Sequence, residues 1–398
     1  MVNSKLDTKK IITYLTLILF AFMAMNFKAK FFYFAFIAVL LFFIFQLKIK
    51  IDKIWYLYLA LSILTCFYNV DNGVLAMIRC FSYVLIYLLG SNILSTPNES
   101  ALTIEENKLN KQKQFYYIIL ALALGSFLHF GLNYVTNISA DMDRNTIDIW
   151  SGEVMSATGQ AALACVMIGF SVALIIKPFK PIYRILGLLI AISILIYNLV
   201  LAGRTIFVIY LITLLVATIY YAVTTKKISL LIKSVLGLLF VGLVFVILYN
   251  YNVFGLKNAI LDSNFYERFF GRDSMGMTET GRTDAKINYL INFLNYPFGG
   301  LNLRAEYGYA HDLLFDAYDE YGLLCLILLI AILICGIKEL ITYLKNNDNN
   351  LTCKICVLCV YVAILLEFCV EPIFAGMQWL FVSFCLINGC LSALNKKV

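Results

Sequence analysis

Charge is the scarcest resource in this chain. Asp, Glu, Lys and Arg together make up 14% of its 398 residues, against about 25% in a soluble domain. Histidine occurs only twice, as His129 and His311, and proline five times. With so little charge a water-soluble surface is excluded; 62% hydrophobic residues and a mean hydropathy of +0.85 point to a membrane. Catalytic signatures are missing too. There is no P-loop, dinucleotide fingerprint, H-E-x-x-H or G-x-S-x-G, which removes support for nucleotide-driven work and the common hydrolases. No Ser/Gly- or Pro-rich linker divides the chain and no repeat stands out, so residues 1–398 read as a single multi-pass domain.

Eleven cysteines are present, most within apolar segments and none in the one long polar loop. That distribution does not suit a disulfide framework. Cys353, Cys356 and Cys359 form a C-x2-C-x2-C run with no fourth ligand nearby, and small buried thiols explain it better than a metal does. We expect no metal and no cofactor. The net charge of +7 raises the question of where the positive charges sit rather than pointing to a nucleic-acid partner.

Runs of about 17–25 apolar residues give about twelve candidate transmembrane helices, beginning near Ile11, Phe31, Ile54, Gly73, Phe115, Gly159, Tyr183, Thr205, Ile228, Asp312, Ile355 and Phe374. The first, preceded by Lys9 and Lys10, resembles a signal peptide but is followed by no small-residue cleavage site, so an uncleaved span is expected. Lysine and arginine collect in cytoplasmic loops. With a cytoplasmic N-terminus the inside segments hold Lys5/Lys9/Lys10, Lys48/Lys50/Lys53, Lys108/Lys111/Lys113, Lys177/Lys180/Arg184, Lys226/Lys227, Lys338/Lys345/Lys354 and Lys396/Lys397, with only Lys28 and Lys30 against the trend. The expected fold is an all-α, polytopic integral membrane protein with both termini cytoplasmic. Two larger segments then face outward: Thr136–Thr158, and a large extracytoplasmic loop over residues 250–310. Within that loop Ile287, Leu290, Ile291 and Leu294 fall at helical spacing, an amphipathic helix that suits lying on the membrane or capping a cavity. Pro297-Phe298-Gly299-Gly300 then forms a turn.

The candidate functional groups gather at the outward-facing end. Arg204 sits at the turn before the eighth span, and Arg282 lies in the large loop with Arg268 and Arg272 close by. Guanidinium forks match phosphate oxygens bidentately and stay charged; interfacial snorkelling or pairing with local acids is the plainer reading. His129, within the fifth span, reads as a hydrogen-bonded packing residue. His311 stands where the loop meets a helix and is suited to general-base work, with helix capping as the competing reading. Asp312, Asp316 and Glu320 follow at four-residue intervals, with Asp319 between. The first suits a helix N-terminus, and the later acids would enter the membrane and need a partner or water. Arg79, about 9 Å inside the fourth span at 1.5 Å per residue, and Glu367 with Glu371 in the eleventh are further costly intramembrane charges.

Taken in order, these residues resemble the lipid-linked polysaccharide polymerases and O-antigen ligases of bacterial envelopes. The resemblance is carried by Leu201-Ala202-Gly203-Arg204-Thr205, Gly281-Arg282-Thr283-Asp284, Pro297-Phe298-Gly299-Gly300, Ala310-His311-Asp312-Leu313-Leu314 and Glu320-Tyr321-Gly322-Leu323. It covers roughly residues 159–345, and His311-Asp312 stands where the family often has His-Asn. The resemblance implies a GT-C-like, inverting, metal-independent glycosyltransferase of the bacterial cytoplasmic membrane with an extracytoplasmic active site. Its substrates would be oligosaccharides on undecaprenyl diphosphate, drawn from membrane lipid. Arg204 and Arg282 would hold the leaving diphosphate and His311 would activate the acceptor hydroxyl. Arg272, Arg79, Asp312, Asp316, Glu320 and Glu367 are the candidate substrate-binding residues. A polymerase, working beside a chain-length regulator and a flippase of the same pathway, is the favoured reading. A ligase onto lipid A core or protein, and a lipid-linked glycan flippase, are the alternatives.

Overall fold

A computed structural model of the chain describes residues 2–45, 49–94, 103–137, 145–176, 180–201, 203–227, 229, 242–244, 246–262, 266 and 282–396. The expectation of an all-α polytopic membrane protein is met. Backbone amides and carbonyls cannot be left unpaired in lipid, and a helix satisfies them within one segment. Among the described residues eight helices are long and apolar enough to cross a membrane. They are α4 (Val74–Ile93), α5 (Ile104–Asn137), α6 (Ala157–Ile175), α7 (Pro181–Val200), α8 (Thr205–Thr224), α12 (Leu313–Lys345), α13 (Leu351–Phe368) and α15 (Gln378–Asn395). Three others, α1 (Val2–Ala24), α2 (Phe31–Phe45) and α3 (Lys53–Tyr68), carry shorter apolar stretches. Shorter helices are α9 (Leu256–Leu261), α10 (Arg282–Asn292), α11 (Asn302–Tyr307) and α14 (Ile373–Gly376). Eleven of the twelve expected spans thus coincide with a helix, and the one from Ile228 lies largely outside the described residues.

The sequence marks several helix starts. Asp52, Ser156, Asn350 and Asp312 each accept a backbone N–H of the first turn, satisfying amides that have no intrahelical partner. Pro181 opens α7, where its missing N–H costs nothing. α5 begins at Ile104, eleven residues before its apolar run, so a polar extension precedes the span.

At the centre lies α6, buried along almost its whole length against α5, α7, α8 and α13. Small residues permit this closeness: a Cβ on Gly169 would lie 2.6 Å from Val360 Cα. A second layer sets α4 between α3 and α15. Buried polar bonds join these helices. Asn388 of α15 donates to Tyr58 of α3 at 2.9 Å and accepts from Tyr361 of α13 at 2.9 Å.

Between α5 and α6 two three-residue strands, β1 (Asn145–Ile147) and β2 (Val154–Ser156), pair antiparallel. Asp148 fixes this hairpin. Its carboxylate accepts from Asn133 Nδ2, the Trp150 and Ser151 amides and Ser151 Oγ, and stands 2.6 Å from Nε2 of the wholly buried His129. His129 is a packing residue, as its position in the span suggested.

Candidate functional site

The site-bearing segment is built around a break in α12. Gly322 has φ +80° and ψ −176°, which interrupts the helix. Gly is the residue that takes this conformation without a Cβ penalty, and a Cβ there would lie 2.5 Å from Pro297 O. In an unbroken helix the Leu323 amide would bond to the Asp319 carbonyl. Here Leu323 N donates to Pro297 O at 2.8 Å, and the Asp319 carbonyl accepts from Leu301 N at 2.8 Å. Each half of the lost rung is satisfied by the Pro297–Leu301 turn. Tyr68 of α3 donates to Phe298 O at 2.8 Å, and Asn69 donates to Tyr321 OH at 3.2 Å, so the break is also moored to the bundle.

On this frame α10, α11 and the start of α12 pack together. Tyr289 is buried with Leu303, Ala310 and Tyr318, and its hydroxyl donates to Gly308 O at 3.0 Å. The residues that suggested an amphipathic helix face the other way: Ile287, Leu290, Ile291 and Leu294 are exposed, Ile291 by 72%. α10 therefore packs through Ala285 and Tyr289 and leaves its aliphatic stripe open.

Two cations lock the cluster. Lys286 Nζ lies 2.8 Å from Asp312 Oδ2 and donates to the Cys369 carbonyl beyond α13 at 3.4 Å. The other Asp312 oxygen accepts from Phe315 N at 2.8 Å, so Asp312 is the N-cap, with extended backbone, rather than a member of the helical face shared with Asp316 and Glu320. Arg304 Nη2 meets Asp316 at 2.8 Å and its Nε lies 3.3 Å from Asp319. Asp316 and Asp319, three apart, thus share one guanidinium, and Glu320 stands aside with its carbonyl accepting from Gly300 N at 3.4 Å. Burial pulls the Arg304 guanidinium down, but Tyr309, Asp316 and Asp319 outweigh it and hold it above its ordinary value. Arg304 also lies 3.9 Å over the Tyr309 ring, whose hydroxyl donates to Asp316 at 3.0 Å. Burial, with the Asp316 charge, pushes the Tyr309 phenol well up.

His311 sits between these locks. Its ring centroid is 4.3 Å from that of Tyr309 and its φ is +55°, a left-handed conformation uncommon outside glycine. The imidazole is half-buried at the mouth of α12.

The other expected residues lie on separate elements. Arg204 precedes α8 at a turn where Asn198 Nδ2 donates to Gly203 O at 2.7 Å. Arg79 lies 5.2 Å over the Phe32 ring, next in sequence to Cys80, which Asn69 approaches at 3.8 Å at the level of Tyr321. Glu367 is wholly buried in the last turn of α13, and neither of its oxygens has a hydrogen-bond partner among the described residues. Arg268 and Arg272 lie outside the described residues, as does the side chain of Arg282, whose backbone opens α10.

Arg304, Lys286 and Tyr309 were missed in the sequence. A signal existed for the first: buried acids at 316 and 319 demand a cation, and Arg304 is the arginine in the polar stretch just before them. Among the described residues no group of three or more His, Cys, Asp or Glu side chains is placed to hold a metal. No protein-family model matches this chain, and no curated protein matches it.

Proposed function

We propose that this membrane protein is a glycosyltransferase that polymerises undecaprenyl-diphosphate-linked oligosaccharide repeat units into O-antigen or capsular or exopolysaccharide. The reaction takes place at the outer face of the bacterial cytoplasmic membrane, with undecaprenyl diphosphate as leaving group. One arrangement carries the reading. Lys286 binds α10 to Asp312, the neighbour of His311, at 2.8 Å. Arg282 stands one helical turn before Lys286 and, by position, on the same face of α10. The insert therefore carries an always-charged guanidinium and an imidazole on two elements that are pinned together.

The division of labour follows. Asp312, Asp316 and Asp319 are engaged by Lys286 and Arg304, so these two cations set the geometry and leave the leaving group to Arg282 and Arg204. His311 takes the proton of the acceptor hydroxyl as its oxygen attacks the anomeric carbon. The sugar–diphosphate bond is already activated, so positioning and charge stabilisation suffice. The exposed aliphatic stripe of α10 suits contact with lipid, which keeps the insert at headgroup level.

The deciding experiment gives purified protein one synthetic repeat unit on undecaprenyl diphosphate. Polymer forming without another acceptor supports the proposal. Product only after lipid A core or protein is supplied identifies a ligase. Translocation without bond formation identifies a transporter, the reading that the unpartnered Glu367 within a spanning helix favours.

A further inference from the structure

At the far end of α12 from His311, about 50 Å of helix away at 1.5 Å per residue, a groove of about 380 Å³ opens between α5 and the start of α13. Its walls are Leu109, Gln112, Lys113 and Tyr116 on one side and Asn350, Thr352 and Cys353 on the other. That volume is within the range of ligand pockets, about 300–1,000 Å³.

The floor is internally satisfied. Gln112 donates to Asn349 Oδ1 at 3.2 Å and accepts from Asn350 N at 2.7 Å, and Asn350 Oδ1 accepts from Thr352 N at 2.8 Å. The rim is not. Lys113 is exposed, 6.0 Å from the Tyr117 ring centroid, and no carboxylate pairs with it among the described residues. Asp348, in the turn that leads into α13, is bound to Lys108 at 2.9 Å, and its charge also acts on Lys354, buried in the first turn of α13. Asp348 thus faces two lysines, Glu106 one turn before Leu109 accepts from Thr103, and Lys113 is left as the cation at the mouth with no carboxylate bound to it among the described residues.

Position supplies the rest. The apolar run of α5 begins at Phe115, two residues past Lys113, and that of α13 at Ile355, two residues past Cys353. Both walls straddle the border between polar and apolar chain, which is the depth of lipid headgroups. Leu109 and Tyr116 line the apolar side.

We infer that this groove binds an anionic phospholipid, its phosphate at Lys113 and an acyl chain along Tyr116. Basic pockets between spanning helices recognise such headgroups, at about 1 kcal/mol per lysine, a factor of roughly five. The inference is independent of the glycosyltransferase proposal.

The test uses the full chain in a neutral detergent, with lipid retention read by native mass spectrometry against dioleoyl phosphatidylglycerol and dioleoyl phosphatidylcholine. Wild type should retain phosphatidylglycerol about fivefold better than phosphatidylcholine. Lys113→Ala should remove that preference. Lys338→Ala, at an exposed site on the same end of α12, should keep it. Leu109→Trp, placed at an exposed position so that the fold is kept, should fill the groove and lower retention of phosphatidylglycerol. A melting curve like that of wild type confirms that each variant is folded. Equal retention of the two lipids, equal losses in the two lysine variants, or undiminished binding in Leu109→Trp would overturn the inference. So would sn-glycerol 3-phosphate binding as tightly as the lipid, because the headgroup alone would then be the ligand.

Discussion

The amide of Leu323 and the carbonyl of Pro297, 26 positions apart in sequence, are hydrogen-bonded at 2.8 Å inside a helix that would otherwise have kept that amide for itself. The exchange depends on Gly322 at φ +80°, where the backbone of Pro297 and Phe298 fills the space that a Cβ would need.

Gly322→Ala should therefore be costly. The left-handed conformation and the missing space together should remove at least about 1–3 kcal/mol, read as a lowered melting temperature in detergent. Gly131→Ala on α5, where a Cβ would meet nothing within 4 Å, is the control. It should be neutral or raise stability by up to about 1 kcal/mol. Equal melting temperatures for the two variants would refute the account of the break.

Arg304→Ala leaves Asp316 and Asp319, each 1% exposed, without their cation. Breaking a buried pair costs about 3–5 kcal/mol, and because the Arg304 side chain is 30% exposed we expect the low end, about 3 kcal/mol. Lysine should restore only part, since one ammonium does not serve two carboxylates as a fork does. Adding Asp316→Asn and Asp319→Asn to Arg304→Ala should recover much of the loss. A triple variant no more stable than the single one would show that the guanidinium acts through something other than these acids.

His311 offers a clean separation of chemistry from fold. Because its φ is +55°, His311→Gly keeps the backbone unstrained while removing the imidazole. Chain extension should fall by about 10²–10⁴-fold, the usual worth of a general base, with the melting temperature unchanged. Full polymer length from this variant would exclude the proposed proton acceptor.

Asp148 gives a pH signature. Burial alone would raise its carboxyl, but the hydrogen bonds from His129, the Ser151 amide and Asn133 outweigh it and hold it below the usual 3.8. A carboxylate lowered on folding contributes stability that is complete above its unfolded value, about 3.9, and that drains away as the pH falls through the folded one. Melting temperatures followed from pH 7 downward should drop below about pH 4, and Asp148→Asn should flatten that fall. Parallel curves for the two proteins would mean that the hairpin is held by other contacts.

The spans were legible because lipid imposes a single rule on the backbone, and apolar length follows from it. That His311, Asp312 and Asp316 stand where the polar loop meets α12 was legible because the polar stretch ends there and an apolar run begins. Lys286 and Arg304 were not, because their partners are chosen by a turn whose path depends on a break at Gly322, and a lone glycine in an apolar run reads as ordinary helix. The β1–β2 hairpin was hidden for a related reason: strands of three residues carry too little alternation to register, and Asp148 rather than pattern holds them. α10 was legible by its period, and its aliphatic stripe stays open as lying on a membrane requires; that Tyr289 and Ala285 form the packed side was not legible, because neither belongs to that stripe.

The borrowed rung at residue 322 has a consequence for assembly. α12 cannot reach its final bend unaided, since the carbonyl and amide exposed at the bend are answered by chain that lies on the far side of His311. Without the Pro297–Leu301 turn in place, the same residues would close into an uninterrupted rod and carry the imidazole to a different height. Bend and turn are thus mutually dependent: each supplies the hydrogen-bond partner that the other lacks, so whatever undocks the Pro297–Leu301 turn also removes what holds the helix open behind it.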